Sequence, residues 1–160
     1  MILDKYQYIL LLGAAVLHII DNLDDPLIKL LSDDPVRPEI PWDFRVGLNS
    51  EIFVLCDDET HQSLAVVCCA YRDFMPANVL ELAAQPEDPS VAVFYTIWSY
   101  AAGAGRRLIV AAQRWIKANR SNISEFVTLS PPTEMARIFH LKNGASVHRV
   151  NADSVNYRYS

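Results

Sequence analysis

The spacing of hydrophobic and polar positions changes several times along the chain. From residue 5 to residue 31 apolar side chains recur at helical intervals and are interrupted by Asp24, Asp25 and Pro26. This predicts a buried amphipathic helix over YILLLGAAVLHII and a second, short helix with Pro26 in its first turn. Residues 32–41 carry three prolines among alternating charges and read as a loop. SEIFVLC (50–56) and SLAVVCCAY (63–71) are β-branched and apolar on either side of DDETHQ, which predicts an antiparallel hairpin. Past Pro86 and Pro89, residues 90–100 are apolar on both alternating sets: Val91, Val93, Tyr95 and Ile97 against Ala92, Phe94, Thr96 and Trp98. Such a segment is expected at the centre of a sheet, covered on both faces.

The period then returns to that of a helix. Residues 105–118 place Leu108, Ala111, Ala112 and Trp115 on one side and Arg106, Arg107, Gln113, Arg114 and Lys117 on the other. EFVTLS (125–130) predicts a further strand, and PTEMARIFHLKNG (132–144) a helix with proline at its start and Gly144 as its stop. SVHRV and SVNYRY, split by NAD, form a closing hairpin. Strand 90–100, helix 105–118 and strand 125–130 make a right-handed crossover, so a parallel pair is expected inside an otherwise antiparallel sheet.

Composition narrows the function classes. At 160 residues and 51% hydrophobic the chain supports one domain with one core. A formal net charge of −5 argues against a general grip on nucleic acid or on a membrane surface. Cys56, Cys68 and Cys69 lie in apolar runs without C-x-x-C spacing, so they read as buried thiols of a reducing compartment, and no metal site is expected. The early apolar run follows Lys5 as a signal sequence would, but acidic residues stand where small residues and a cleavage site belong. It is also shorter than the roughly 20 residues of a membrane span. A cytoplasmic location is the expectation.

The turn AAGAGRRL (101–108) carries the candidate chemistry. A strand leading through glycines into a helix leaves the first helical N–H groups without intrahelical partners, at the positive end of the helix dipole. Such a turn attracts an anion, and Arg106 and Arg107 are unfavourably placed there unless something negative sits nearby. A Rossmann turn would need glycine where Leu108 stands, and no G-K-[ST] is present. The alternative is a tight turn with solvated arginines.

YAAGAG resembles the Q/R-x-x-G-x-G/A pyrophosphate turn of the GNAT superfamily of N-acyltransferases, and AxxxHxxxGA from Ala136 to Ala145 resembles that family's A-x-x-x-Y-x-x-x-G-F. The similarity covers residues 50–160 in layout and these two motifs in sequence; the TIWSY strand also looks like GNAT-like proteins of tailed phages. The resemblance implies an α+β, GNAT-like (acyl-CoA N-acyltransferase) fold: a central twisted mixed sheet flanked by helices, in a single domain. Residues 1–49 would supply N-terminal helices and a loop, and 50–160 the sheet core. It implies acetyl-CoA or another acyl-CoA as cofactor, with pantetheine beside Trp98, Ser99 and Tyr100. Pyrophosphate would rest on the amides around Ala102, Gly103, Ala104, Gly105 and Arg106, and an amine would be the acceptor.

The departures from the family pattern are specific. Tyr100 stands in place of glutamine or arginine. His140 takes the position of the tyrosine that protonates the departing thiolate, a role an imidazole can fill; a helix histidine packed on the sheet is the alternative. Thr133 stands where an asparagine contacts the cofactor, or caps its helix. Strand 90–100 lacks the carboxylate base these enzymes often hold; Glu87 and Asp88 precede it, and Glu51 or Asp73 are the remaining candidates. Two functions follow: an acyl-CoA-dependent N-acyltransferase of unassigned amine, or a catalytically inactive GNAT-fold binding or structural protein. Further copies of the chain or phage particle proteins are the other partners expected, with the host cytoplasm or a virion as the setting of a phage-encoded member.

Overall fold

The protein was analysed as a computed structural model, which describes the backbone of residues 8–9 and all of residues 15–160. Among the described residues, eight strands form one sheet: β1 (Tyr8–Ile9), β2 (Ala15–Ile20), β3 (Ser50–Asp57), β4 (Ser63–Arg72), β5 (Val91–Ser99), β6 (Glu125–Thr128), β7 (Ala145–Val150) and β8 (Val155–Tyr159). Their order is β1-β2-β3-β4-β5-β6-β8-β7. Helices α1 (Val79–Leu82), α2 (Ala104–Asn119) and α3 (Glu134–Lys142) and 3-10 segments at Pro26–Asp33 and Trp42–Arg45 are the other elements among the described residues. Only β5 and β6 run parallel, joined by α2, as the crossover reading requires.

The N-terminal helix expected over YILLLGAAVLHII is instead a pair of strands. Residues 15–20 pair antiparallel with β3, Ala15 opposite Asp57 and Ile20 opposite Ile52, and Tyr8–Ile9 pair with β2. A short apolar run fits a buried helix and a buried strand equally well by pattern. Here β3 offers an unpaired edge, and Val16, Ile19 and Ile20 are β-branched, so a strand satisfies backbone and side chains together. Residues 10–14 of the run, and Lys5 before it, lie outside the described residues. The second expected helix is the 3-10 segment at Pro26, capped by Asp25, whose side chain accepts from Leu27 N at 2.9 Å.

Helix α2 covers one face of the sheet. Leu108, Ile109, Ala111, Ala112 and Ile116 are buried against Leu17, Phe53, Leu55, Val67 and Phe94, and Trp115 meets Phe53 edge-on at 5.4 Å. Each large aliphatic side chain buried there stabilises the fold by about 1.5–3 kcal/mol. Loops, the 3-10 segments and α1 cover the opposite face, over Ile52, Val54, Val66, Val93 and Tyr95. Cys68 and Cys69 are buried and Cys56 is half-buried, all as free thiols. Among the described residues no helix is long and apolar enough to cross a membrane.

The simple alternation expected in β5 breaks at Tyr95. Cys68 pairs with Thr96 and Cys69 with Phe94, leaving Tyr95 as an extra residue in a β-bulge. Tyr95 and Thr96 therefore both face the loop-covered side: Tyr95 packs there, and Thr96 donates to Asp34 at 2.8 Å. Ile97 turns back towards the α2 side and Trp98 packs with Tyr95. Pairing between β5 and β6 ends at the same level, with Phe94 opposite Thr128. Beyond it the strands part.

Candidate functional site

A cavity of about 370 Å³ opens where β5 and β6 part. The outer half of β5, from Phe94 to Ser99, forms one wall, and Ser130, Pro131 and Thr133 after β6 form another. Gly105 of α2, and Met135, Ala136, Phe139 and His140 of α3, close a third side; Pro35 and Val36 of the proline-rich loop close the fourth. Among the described residues, no aspartate, glutamate, lysine or arginine lines the cavity.

The depth of the gap is set by side chains from the loop. Where β5 and β6 stop pairing, Arg37 donates from Nε to Tyr95 O at 3.4 Å and from Nη2 to Leu129 O at 3.0 Å, bridging carbonyls of the two diverging strands. Burial lowers the Arg37 pKa, with Glu39 and Asp34 opposing that effect. Asp34 anchors the same loop: its Oδ1 accepts from the amides of Val36 (2.8 Å) and Arg37 (3.0 Å) and from Thr96 Oγ1, and its Oδ2 pairs with Arg45 at 2.6 Å. Every oxygen of this buried carboxylate is engaged, so it is a strut for Pro35 and Val36 and not a free base.

The two glycines of the turn serve different purposes. Gly103 caps α2 in the left-handed region, φ +75°, which an L side chain rarely adopts. Gly105 is helical, and a Cβ there would stand 3.1 Å from Phe139 Cε2 and 3.3 Å from Cζ. Its small size lets α3 come close to the start of α2. At the start of α2 the Ala104 amide is taken by Ala101 O at 3.2 Å and the Arg107 amide by Gly103 O at 3.3 Å, and Gly105 lines the cavity. Arg106 is exposed. Arg107 acts on Asp57, whose carboxyl is held below its usual range first by the Thr60 amide, then by Glu59 N–H and by Arg107.

Trp98, Ser99, Gly105, Thr133 and His140, singled out from the sequence, line the cavity together; Tyr100, Ala102, Gly103, Ala104 and Arg106 do not. The Tyr100 amide is taken by Leu64 O at 2.8 Å. Its hydroxyl accepts from Trp98 Nε1 at 3.0 Å and donates to Asp33 at 2.7 Å, tying the end of β5 to the end of the 3-10 segment. Thr133 does cap α3, accepting from Ala136 N at 3.2 Å, and Pro132 falls just before the cap.

His140 is 4% exposed. Its ring stacks on Tyr157 at 5.0 Å and meets Phe139 edge-on at 5.1 Å, and Nδ1 lies 2.7 Å from Tyr159 Oη. Burial lowers its pKa to about 4, so the ring is neutral at pH 7. Burial likewise pushes the Tyr159 phenol up.

The carboxylates considered as bases stand elsewhere. Glu51 is held by Tyr71 Oη and by Arg120 Nε at 2.9 Å, near the far end of α2. Asp73 follows β4, beside the start of β5, and accepts from Glu87 N at 3.2 Å. Among the described residues no cluster of histidine, cysteine and acidic side chains could hold a metal. Sequence reasoning missed Pro35, Val36, Arg37, Phe139 and Tyr159. Only Phe139 carried a local signal, being next to His140; the others reach the site across long stretches of chain.

Comparison with known proteins places the fold. No family model matches the chain, and no curated protein sequence does. Solved structures do. Malonyl-CoA decarboxylase from Agrobacterium vitis superposes with a TM-score of 0.75 at 17% identity, over 92% of this chain and 61% of that one. The chain thus spans about three fifths of the length of that decarboxylase. A GNAT-family protein from Desulfovibrio desulfuricans gives 0.64 at 13% identity, over 92% and 99% of the two chains. An aminoglycoside N-acetyltransferase in complex with CoA gives 0.59 at 15% identity, over 85% and 91%. The fold is the GNAT fold. The phage kinship drawn from TIWSY gains no support from these likenesses.

Proposed function

We propose that the chain binds an acyl-CoA thioester in the fork between β5 and β6 and transfers its acyl group to an amine. The observation that carries this reading is the cavity itself: it starts at the bulge in β5, runs between two strands that no longer pair, and ends at the glycine-shaped start of α2. Pantetheine lies along Trp98 and Ser99, and the pyrophosphate meets the amides of residues 102–106, with Arg106 able to swing over it. The amine nitrogen attacks the thioester carbonyl, the C–S bond breaks, and His140 serves the departing thiolate. Water and the amine's own pKa govern its deprotonation, because no carboxylate of the described residues lines the cavity.

That last feature favours a second reading, in which the fork holds acyl-CoA but no amine is acylated. This is either binding alone or a reaction confined to the acyl-CoA, as in the decarboxylases that share the fold.

Thermal unfolding with acetyl-CoA tests the shared premise. Ligand at about one hundred times its Kd stabilises the native state by roughly 2.7 kcal/mol, a rise of several degrees for a chain of this size. Gly105→Glu, checked first for its own melting because Phe139 is close, is expected to abolish the rise; Arg106→Ala should reduce it. No rise with acetyl-CoA, CoA or longer acyl-CoAs removes the acyl-CoA reading. Release of free CoA only when amines are added supports the transferase, and release without them supports the second reading.

A further inference from the structure

The inference rests on the acyl-CoA reading of the fork and concerns the proton on His140. A neutral imidazole carries one N–H, on Nδ1 or on Nε2. Nδ1 faces the hydroxyl of Tyr159 at 2.7 Å, a buried group with no other hydrogen bond among the described residues. Nε2 has no hydrogen-bond partner among the described residues, and the ring that carries it lines the cavity.

The two placements are not equivalent. With the proton on Nδ1, the ring donates to the phenol oxygen, and the phenol's own proton has no acceptor among the described residues. With the proton on Nε2, Tyr159 donates to the Nδ1 lone pair, and the ring's N–H reaches the cavity. An unmade buried donor costs more than a spare lone pair on an oxygen that already makes a bond. The rings of Tyr157 and Phe139 hold the imidazole plane, so the Nε2–H direction is fixed as well.

We propose that Tyr159 is a positioning residue that holds His140 as the Nε2–H tautomer, so that the cavity is presented with a directed hydrogen-bond donor. In the transfer, the nitrogen–carbon bond forms and the carbon–sulfur bond breaks, with the electron pair leaving on sulfur. His140 keeps its proton and hydrogen-bonds the sulfur as charge builds. The proton that completes the thiol is the one lost by the attacking nitrogen.

Long-range 15N–1H correlation on the full chain with labelled histidine reads the tautomer directly. The expected result is a neutral His140 protonated at Nε2, with Tyr159→Phe shifting the ring towards the Nδ1–H form. Acetyl-CoA is expected to move the Nε2 resonance and leave Nδ1 nearly in place. In the transferase assay Tyr159→Phe should lower kcat on the order of tenfold with the acyl-CoA KM unchanged. A wild-type ring protonated at Nδ1 overturns the proposal, even if Tyr159→Phe fails to fold, and so does a tautomer indifferent to Tyr159→Phe. A chain that shows no melting shift with any acyl-CoA overturns the functional reading instead, and the tautomer is still decided on the ligand-free protein.

Discussion

The two faces of the sheet are covered in different ways, and the buried polar groups differ accordingly. On one face lies α2, whose backbone satisfies its own hydrogen bonds, so its contact surface is almost wholly apolar. The buried ionisable groups on this side include His140, kept neutral by burial, and Glu51, held by Tyr71 and by Arg120 at the end of α2. On the other face lie loops and 3-10 segments, whose carbonyls cannot all bond one another. Guanidinium groups serve them. Arg45 donates to Ile40 O and Arg37 O while pairing with Asp34; Arg72 donates to Leu82 O, Asn49 O and Tyr71 O; Arg37 bridges Tyr95 O and Leu129 O. A regular element needs an apolar stripe, whereas an irregular cover needs charged donors buried with it. The cavity lies at the junction, with its back wall from the irregular side and its mouth at the helical one.

The largest expected effect breaks the irregular cover. Arg45→Met leaves Asp34 buried and unpaired, and is expected to cost about 3–5 kcal/mol in denaturant unfolding. On the other face Arg120→Met should cost less than half as much, because Arg120 is partly exposed and Glu51 keeps Tyr71. Equal costs would remove the distinction between the faces.

The next effect tests the neutral group under α3. His140 has its pKa lowered to about 4 in the folded chain, against about 6.5 unfolded, so the unfolded state binds more protons between those values. Stability is therefore full above pH 6.5, falls as the pH drops, and has lost about 3 kcal/mol near pH 4. His140→Gln should flatten that part of the profile. The same slope in the variant would mean that other groups carry it.

The smallest effect is local. Gly103→Ala forces an L side chain into φ +75° and should lower stability by about 1 kcal/mol, although nothing stands within 4 Å of the new Cβ. Gly105→Ala, with no positive φ, should act instead by displacing Phe139, visible as a change in the aromatic contacts of His140. If the two variants behave alike, the glycines do not have separate tasks.

Much of the fold was legible in the sequence because it depends on local chemistry. The β3–β4 and β7–β8 hairpins, the two-sided apolar run of β5, the stripe of α2 and the stop at Gly144 all follow from period, turn residues and backbone freedom over a few positions. The run ending at Ile20 was not legible, since its period admits helix and strand, and the open edge of β3 chose. The bulge at Tyr95 was equally hidden: whether β5 has one residue more than its partner depends on β4, and a one-residue shift turns Thr96 and Trp98 to the opposite face.

The candidate site divides along the same line. The glycine turn could be found by its spacing and His140 by the motif it resembles, because a glycine-led helix start and a short helix motif are short-range objects. What each does there depended on residues far along the chain: Phe139 gives Gly105 its reason, Tyr159 sets the proton on His140, and Asp34 with Arg45 and Arg37 builds a wall from a loop that the sequence marked only as proline-rich. Sequence by itself determined the turn and the elements other than the run ending at Ile20. Tertiary structure alone decided the cavity, because burial, the pairing of buried charges and the place of a proton are properties of neighbours in space, and those are fixed only when distant segments pack together.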